Sequence, residues 1–241
     1  MLIFAHRGAA GRNADENSLE AVKRAVALGV DGIEVDIRRT RDDEAVLVHD
    51  TDLRRIAGDT RQVDTLSLDE IKEITLRHGT RVVTLDELTA NVPTPMELDL
   101  EVKDVEAMDL LIRKLRTSAG LRERAIITSF SSDVIARAAR DLPEVRTAIL
   151  MRNWPGNFQT FTAWALEHHL YGMGFTSRQW SPIRVEKVHA IGLKAIAWEM
   201  ITTRSTRARA AQLKNMGVDM AIVNQPPMYL PDRTPQSGTE A

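Results

Sequence analysis

Apolar residues fall along this chain in two rhythms. Short apolar runs, several of them rich in β-branched residues, stand at 2–5, 32–37, 97–102, 125–128, 145–150, 171–175, 194–198 and 219–223. Runs of this length bounded by polar punctuation predict strands. Between most of them lie longer amphipathic stretches at 19–28, 105–118, 132–141, 158–168, 183–191 and 204–216, which predict helices that bury one face. Start signals agree: Pro182 sits at a first-turn position, and Ser131-Ser132-Asp133 precedes Ile135. Strand and helix in repeated alternation are the pattern of βα units. Eight such strands predict a TIM (β/α)8 barrel. The competing open, doubly wound sheet lacks its usual nucleotide signature, since no Gly-x-Gly-x-x-Gly follows the first strand.

The excursion between the second and third strands is too long for the repeat. Residues 51–91 hold two Ser/Thr-x-x-Glu capping boxes, Ser67 to Glu70 and Thr84 to Glu87, which predict two short helices in a small helical insertion over one end of the barrel. Its apolar residues, among them Leu53, Ile56, Leu66, Leu68, Ile71 and Ile74, are spaced widely enough to pack those helices without a membrane-seeking face. A single barrel domain over 1–230 is expected, followed by a disordered tail at 231–241, where no apolar pattern continues.

Within 33–37 apolar and acidic residues alternate strictly, so Ile33, Val35 and Ile37 share one face of a strand and Glu34 and Asp36 the other. The residues from Arg38 to Ala45 are too few for a crossover to a parallel strand. Residues 46–48 are therefore expected to return as a short antiparallel arm that carries His49 back towards the carboxylates. The third strand alternates again, with Asp99, Glu101 and Lys103 on one face, and the first strand runs into His6-Arg7-Gly8. Barrel enzymes build their sites at the carboxyl ends of the strands, so these residues converge on the pole where function belongs. Glu34, Asp36 and Glu101 buried together and unpaired would raise one another's pKa. A divalent cation removes that cost, and all-oxygen donors indicate Mg2+ or Ca2+ rather than zinc. The same residues also allow a structural network in which Arg7 and Lys103 neutralise the acids.

Composition narrows the function classes. The 32 lysines and arginines are scattered among 34 acids for a net charge of −2, which argues against a nucleic-acid partner. The absence of cysteine excludes disulfides, thiolate metal sites and cysteine nucleophiles. The N-terminus lacks the features of a signal peptide, and no apolar run approaches the ~18 residues of a membrane span. A cytoplasmic protein with no membrane insertion is expected.

In order, Ala5-His6-Arg7-Gly8, Glu16-Asn17-Ser18, Gly29-Val30-Asp31-Gly32-Ile33-Glu34-Val35-Asp36, Thr40, Val48-His49-Asp50, Thr84-Leu85-Asp86-Glu87, Leu100-Glu101-Val102-Lys103, Ser129-Phe130, Ala197-Trp198 and Gly217-Val218-Asp219 resemble the motifs of the glycerophosphodiester phosphodiesterases. The resemblance runs from residue 3 to about 227. It implies a TIM barrel, a divalent metal held by Glu34, Asp36 and Glu101, and catalysis by His6 and His49 on a small-molecule glycerophosphodiester, giving glycerol 3-phosphate and an alcohol. Arg7 and Lys103 would then bind the phosphate oxygens, and either histidine can serve as acid or base.

The chain departs from the pattern in several places. Asp15 replaces a usual proline, Asp43 a glycine, Ile56-Ala57 a Thr-Thr pair, Glu199-Met200-Ile201 a Thr-Val-Asn, and Val223-Asn224 a Thr-Asp. None removes a candidate metal ligand or histidine. Two further classes therefore stay in view: a phospholipase D-like lipid phosphodiesterase on the same barrel, and a phosphodiester-binding barrel without turnover. The insertion begins directly after His49-Asp50, and residues such as Arg54, Arg55 and Asp59 are expected to choose the alcohol portion of the substrate.

Overall fold

The alternation of the short runs becomes a closed sheet in the structure, a computed structural model that describes residues 1–11, 14–200 and 202–230. Among the described residues the strands are β1 (Leu2–His6), β2 (Gly32–Arg39), β3 (Ala45–Leu47), β4 (Asp52–Leu53), β5 (Asp59–Gln62), β6 (Glu97–Val102), β7 (Ala125–Ser129), β8 (Arg146–Leu150), β9 (Gly172–Thr176), β10 (Lys194–Trp198) and β11 (Met220–Val223). The helices are α1 (Leu19–Leu28), α2 (Arg54–Ala57), α3 (Leu68–Glu73), α4 (Leu85–Asn91), α5 (Ala107–Thr117), α6 (Ala119–Arg124), α7 (Ser132–Asp141), α8 (Phe158–Glu167), α9 (Pro182–Ala190) and α10 (Arg207–Asn215). Strands β1, β2 and β6 to β11 pair in parallel around a ring that closes where Ile3 stands opposite Ala221. The protein is a TIM (β/α)8 barrel. The expected antiparallel arm is present as β3, with Ile37 opposite Leu47.

Each strand divides its side chains between two cores. Phe4, Ile126, Ala148, Ile196, Met220 and Ile222, contributed by strands alone, fill the lumen, while the opposite faces pack against the helices in the main core. Gly32 makes the lumen packing possible, because a Cβ there would lie 2.3 Å from the Phe4 ring. Burying a phenylalanine so fully contributes roughly 1.5–3 kcal/mol. The resulting plug is the floor on which the polar layer above it stands. Ser18, Ser131, Asn157, Ser181 and Thr206 cap the helices that follow the strands, each satisfying a backbone N–H that the first helical turn leaves unpaired.

The insertion has its own small core of Val46, Val48, Leu53, Ile56, Val63, Leu66 and Ile71. Both capping boxes form. They start different things, however: α3 belongs to the insertion, whereas α4 puts Leu85 and Leu88 into the main core and joins the outer ring of helices. Ahead of α3 the insertion adds the two-stranded β4–β5 ribbon, too short and too polar to show as alternation. The helix expected at 105–118 breaks at Ser118 and continues as α6. Among the described residues, no helix is long and apolar enough to cross a membrane. The expected tail at 231–241 lies outside the described residues.

Candidate active site

The polar layer begins where β1 ends in a left-handed turn, with φ of 54° at Arg7 and 74° at Gly8. A Cβ on Gly8 would meet Ala21 at 2.9 Å, so helix α1 can approach only a glycine. Arg7 has no such licence, and a non-glycine residue held in this region costs of order 1–3 kcal/mol. Hydrogen bonds on both sides hold it there: the Arg7 N–H donates to Glu34 Oε2 (2.8 Å), and the Asn17 N–H donates to the Arg7 carbonyl (2.9 Å). Asn17 is itself left-handed, and its Nδ2 donates to Asp36 Oδ2 at 2.8 Å. Two strained residues are thus spent on aiming donors at the β2 carboxylates.

Register brings the acids together. His6 stands beside Glu34, Glu34 beside Asp99, and Asp36 beside Glu101. Ligand atoms of Glu34, Asp36 and Glu101 lie within 4.8 Å of one another, and all three residues are buried. Lys103 Nζ contacts Glu101 and lies 2.7 Å from Asp36 Oδ1, while Arg7 Nε lies 3.1 Å from Asp36 Oδ2. Burial would raise the Asp36 pKa, but Lys103 and Arg7 outweigh it and hold the carboxyl well below the usual range. Glu34 goes the other way, pushed up by burial and then by the charges of Asp36 and Glu101. Burial also raises Glu101, against the opposing pull of Lys103. Two cations therefore satisfy Asp36 and leave the trio under-compensated. Glu34 Oε1 is buried with no hydrogen-bond partner among the described residues. A hard divalent cation fits this all-oxygen donor set, whose charge Arg7 and Lys103 leave only partly compensated.

The two histidines stand over this cluster with different partners. His6 is buried, its Nε2 is 3.9 Å from Glu34 Oε2, and its Nδ1 is 2.7 Å from Asn224 Oδ1. Asn224 Nδ2 donates to the carbonyls of Met200 (2.7 Å) and Thr203 (2.9 Å). That fixes which end of the amide is oxygen, so His6 Nδ1 must carry the proton and Nε2 the free lone pair. Burial, followed by the charge of Arg7, lowers the His6 pKa to about 4. His49 is carried in by the arm, where the Val48 N–H donates to the Asp36 carbonyl at 3.0 Å. Its Nδ1 is 2.7 Å from Asp50 Oδ1. Arg55 Nε donates to Asp50 Oδ2 (2.6 Å), and its two terminal nitrogens grip Glu16, which also accepts from Arg7. A continuous chain of charges thus runs from His49 through the insertion to Asp36.

Six of the seven candidate residues, namely His6, Arg7, Glu34, His49, Glu101 and Lys103, line one cavity of about 230 Å3, with Asp36 wholly buried beneath them. The facing wall is Phe130, Leu150, Trp198, Met200 and Ile222, with Arg152 at the rim. The indole Nε1 of Trp198 is buried without a partner among the described residues, a donor available to an oxygen in the cavity. A second cavity of about 350 Å3 borders His6 from the other side and is lined in part by Glu16, Arg55, Ile56 and His78.

Several contributors escaped the sequence reading. Asn17 and Glu16 stood in a quoted motif without a role. Asn224 and Glu199 counted only as departures, yet they work together: Glu199 accepts from Ser205 Oγ, Tyr229 Oη and the Asn224 N–H, anchoring the residue that orients His6. The departures at Ile56 and Ala57 belong to the insertion's core. No short-range pattern announces these pairings, whose partners lie up to 218 residues apart.

The sequence profile of the glycerophosphoryl diester phosphodiesterase family matches residues 6–228. A glycerophosphodiester phosphodiesterase of Caldanaerobacter subterraneus is 29% identical over 162 residues, covering 62% of this chain and 66% of that one. The glycerophosphodiester phosphodiesterase 1 of Bos taurus is 25% identical over 237 residues, 83% of this chain and 71% of its own. Among solved structures, an Oleispira antarctica phosphodiesterase in complex with the product sn-glycerol-3-phosphate superposes with a TM-score of 0.83 at 22% identity, with 95% of each chain covered.

Proposed function

We propose that this chain, which belongs to the glycerophosphoryl diester phosphodiesterase family, hydrolyses glycerophosphodiesters to glycerol 3-phosphate and an alcohol, with two histidines dividing the proton transfers. The observation that carries the division is that each imidazole is backed by a different group, Asn224 behind His6 and Asp50 behind His49. A divalent cation, Mg2+ or Ca2+, held by Glu34, Asp36 and Glu101 would supply electrophilic stabilisation to the phosphate oxygens. Arg7 and Lys103 keep Asp36 ionised and lend positive charge beside the same oxygens.

His6 is the base in this reading. Its neutral amide partner and its lowered pKa keep Nε2 unprotonated at pH 7, ready to take the proton of water or of the neighbouring glycerol hydroxyl. His49 is the acid. Burial lowers its pKa too, but the Asp50 carboxylate favours the imidazolium, much as the buried aspartate does in a serine protease triad. Asp50 stays ionised because its bonds with His49 and Arg55 outweigh its partial burial. The insertion-lined cavity beside His6 is the place for the departing alcohol.

The test is alcohol release by purified protein with Mg2+ or Ca2+ from a panel of glycerophosphodiesters, followed by a leaving-group comparison. His49→Ala is expected to recover much of its rate on a p-nitrophenyl ester, whose leaving group needs no acid, while His6→Ala recovers little. The opposite pattern exchanges the two roles. No release from any member of the panel would overturn the reading as a whole.

A further inference from the structure

We propose that Arg38, braced by Asp104, is the positioning residue of His49, a role that rests on the place given above to His49 in the proton transfers. Alternation along β2 sends the side chains of Glu34, Asp36 and Arg38 to one face. Two of them enter the acidic trio, and the third reaches past it to the histidine. The Arg38 guanidinium closes on the His49 carbonyl with two donors, Nε at 3.0 Å and Nη2 at 2.9 Å. Its other terminal nitrogen, Nη1, donates to Asp104 Oδ2 at 3.2 Å, while Asp104 Oδ1 accepts from the Ala107 N–H (2.8 Å) at the start of α5. Two bonds from one rigid planar group fix the carbonyl in direction as well as distance.

His49 needs such a hold because it has left the sheet. Strand β3 ends at Leu47, and the flanking backbone bonds are those of the Val48 N–H to the Asp36 carbonyl and of the Val63 N–H to the Thr51 carbonyl (2.9 Å). Among the described residues, the His49 carbonyl accepts only from Arg38. Asp50 orients the ring, but its own partner Arg55 stands in the insertion. Arg38 and Asp104 stand instead at the ends of β2 and β6, which pair at Ile37 and Val102 and are joined again by the Lys103 N–H to the Ile37 carbonyl (3.1 Å). The clamp therefore refers the histidine to the same two strands that carry Glu34, Asp36 and Glu101. Neither Arg38 nor Asp104 lines the active-site cavity, and both border a separate one of about 280 Å3. Arg38 acts through His49 and not on the substrate.

The test compares Arg38→Met with His49→Ala on glycerophosphocholine and on a p-nitrophenyl ester of glycerol phosphate, with each variant alone and the two combined. A catalytic group displaced by about 1 Å loses on the order of 10²-fold in rate, so Arg38→Met is expected to lower kcat on glycerophosphocholine by about ten- to hundred-fold with KM nearly unchanged. Its relative loss on the two esters should copy that of His49→Ala, whichever proton transfer His49 performs. In the combined variant Arg38→Met should cost nothing further, because the residue it positions is gone. Arg38→Lys keeps one donor and should recover part of the rate. Arg39→Met removes a neighbouring charge that leaves by the opposite face and pairs with Asp43 at 2.9 Å, and should change neither ester. A loss that differs in pattern from His49→Ala, or that persists in full in the combined variant, overturns the clamp. So does an equal loss in Arg39→Met, which would reduce the effect to net charge. Amide hydrogen exchange supplies a readout that needs no turnover: Arg38→Met should speed exchange at Val48 and its neighbours in the arm while leaving β6 to β10 protected. Unchanged exchange in the arm overturns the proposal even if no ester is cleaved. Faster exchange there, with no alcohol released by the natural protein, would strike the phosphodiesterase reading and leave the clamp standing.

Discussion

The half of the barrel built from β1, β2 and β6 and the half built from β7 to β10 enclose one cavity with opposite chemistry. The first contributes three buried carboxylates, an arginine, a lysine and a histidine, each tied to another by register or hydrogen bond. The second carries all four tryptophans and four of the five phenylalanines, most of them in a chain of ring contacts from Trp180 through Phe175, Trp154, Phe158 and Phe161 to Trp164, with a separate Phe130–Trp198 pair at the cavity. The charged half is over-determined, since moving any one of its groups leaves another buried charge unpaired, and such losses are expensive. The aromatic half is held by packing that tolerates exchange of shape. The proposed function accordingly assigns chemistry to the first half and choice of substrate to the second.

The sharpest way to break that division is to substitute the charged half. His6→Ala and His49→Ala are each expected to lower kcat on a natural glycerophosphodiester by about 10²–10⁴, the usual reach of a general acid or base. Glu34→Gln, Asp36→Asn and Glu101→Gln should fall in the same range. Steady-state kinetics check this, and losses confined to KM would show that the acidic half only binds.

The charged half was also the more legible in the sequence, for a physical reason. Strand alternation puts residues two apart on one face, so Glu34 with Asp36 and Glu101 with Lys103 could be paired on paper, and the brevity of the 38–45 loop brought His49 back. All eight barrel strands were visible for a different cause, because a strand buried on both faces reads as a short apolar run between polar residues. What alternation cannot reveal is a contact between loops. The tie of Asn224 to His6 and the grip of Arg55 on Glu16 cross the barrel mouth, and the cavity wall at Phe130 and Leu150 is formed by side chains from two separate βα units. A helix such as α4 looked like part of an insertion because its capping box says where it starts and not what it packs on.

Asp99 sharpens the comparison through pH. It lies in the charged half but below the trio, fully buried, and among the described residues it accepts a hydrogen bond only from Thr128 Oγ1 (2.7 Å). Burial raises its pKa to about 8, against the opposing Thr128 bond. The native state therefore keeps a proton that the unfolded chain loses near the ordinary carboxyl value. Stability from this group is full below that value and lost as pH rises through about 8. Asp99→Asn removes the dependence, so in metal-free buffer the stability difference between variant and natural protein should shift in the variant's favour from pH 5 to pH 8. One proton sets an upper bound of ~1.36 kcal/mol per pH unit. Parallel denaturation curves across that range would mean that Asp99 is already ionised in the folded protein.

Removing the cation probes the charged half as a binding site. With Mg2+ or Ca2+ at a hundred times its dissociation constant, chelation should remove ~2.7 kcal/mol of stability, a fall of roughly 5–10 °C in Tm for a chain of this size. Activity should return when the ion is restored. An unchanged Tm and rate in excess chelator would leave Arg7 and Lys103 as the sole neutralisers of the trio.

Arg55 tests whether the insertion belongs to the charged half or to the selecting one. The Arg54 side chain is 68% exposed and, among the described residues, has only a long contact to Asp52, whereas Arg55 is clamped between Asp50 and Glu16. The sequence placed both among residues that choose the alcohol. The geometry separates them: Arg55→Met should slow every substrate alike by about ten-fold, ~1.4 kcal/mol in the barrier. Arg54→Ala should at most reorder preference among head groups. If Arg55→Met instead changed the ranking of choline, ethanolamine, glycerol and inositol esters, the clamp would be a selecting element after all.

The smallest effect is expected from the aromatic half, at Trp198. Its ring meets Phe130 edge to face at 5.3 Å, and its buried Nε1–H has no acceptor among the described residues. A buried donor without a partner is costly, so an oxygen of the bound substrate is the natural acceptor. Trp198→Phe keeps most of the ring contact and deletes the donor. Losing one neutral hydrogen bond of ~1 kcal/mol should raise KM about five-fold. Because that bond forms with the bound substrate as well as in the transition state, kcat should barely move. Trp198→Ala removes the ring as well, and should raise KM further than Trp198→Phe does. If Trp198→Phe lowered kcat as far as the histidine variants do, the indole would be acting on developing charge. The division between a reacting half and a selecting half would then fail at the residue where the two meet.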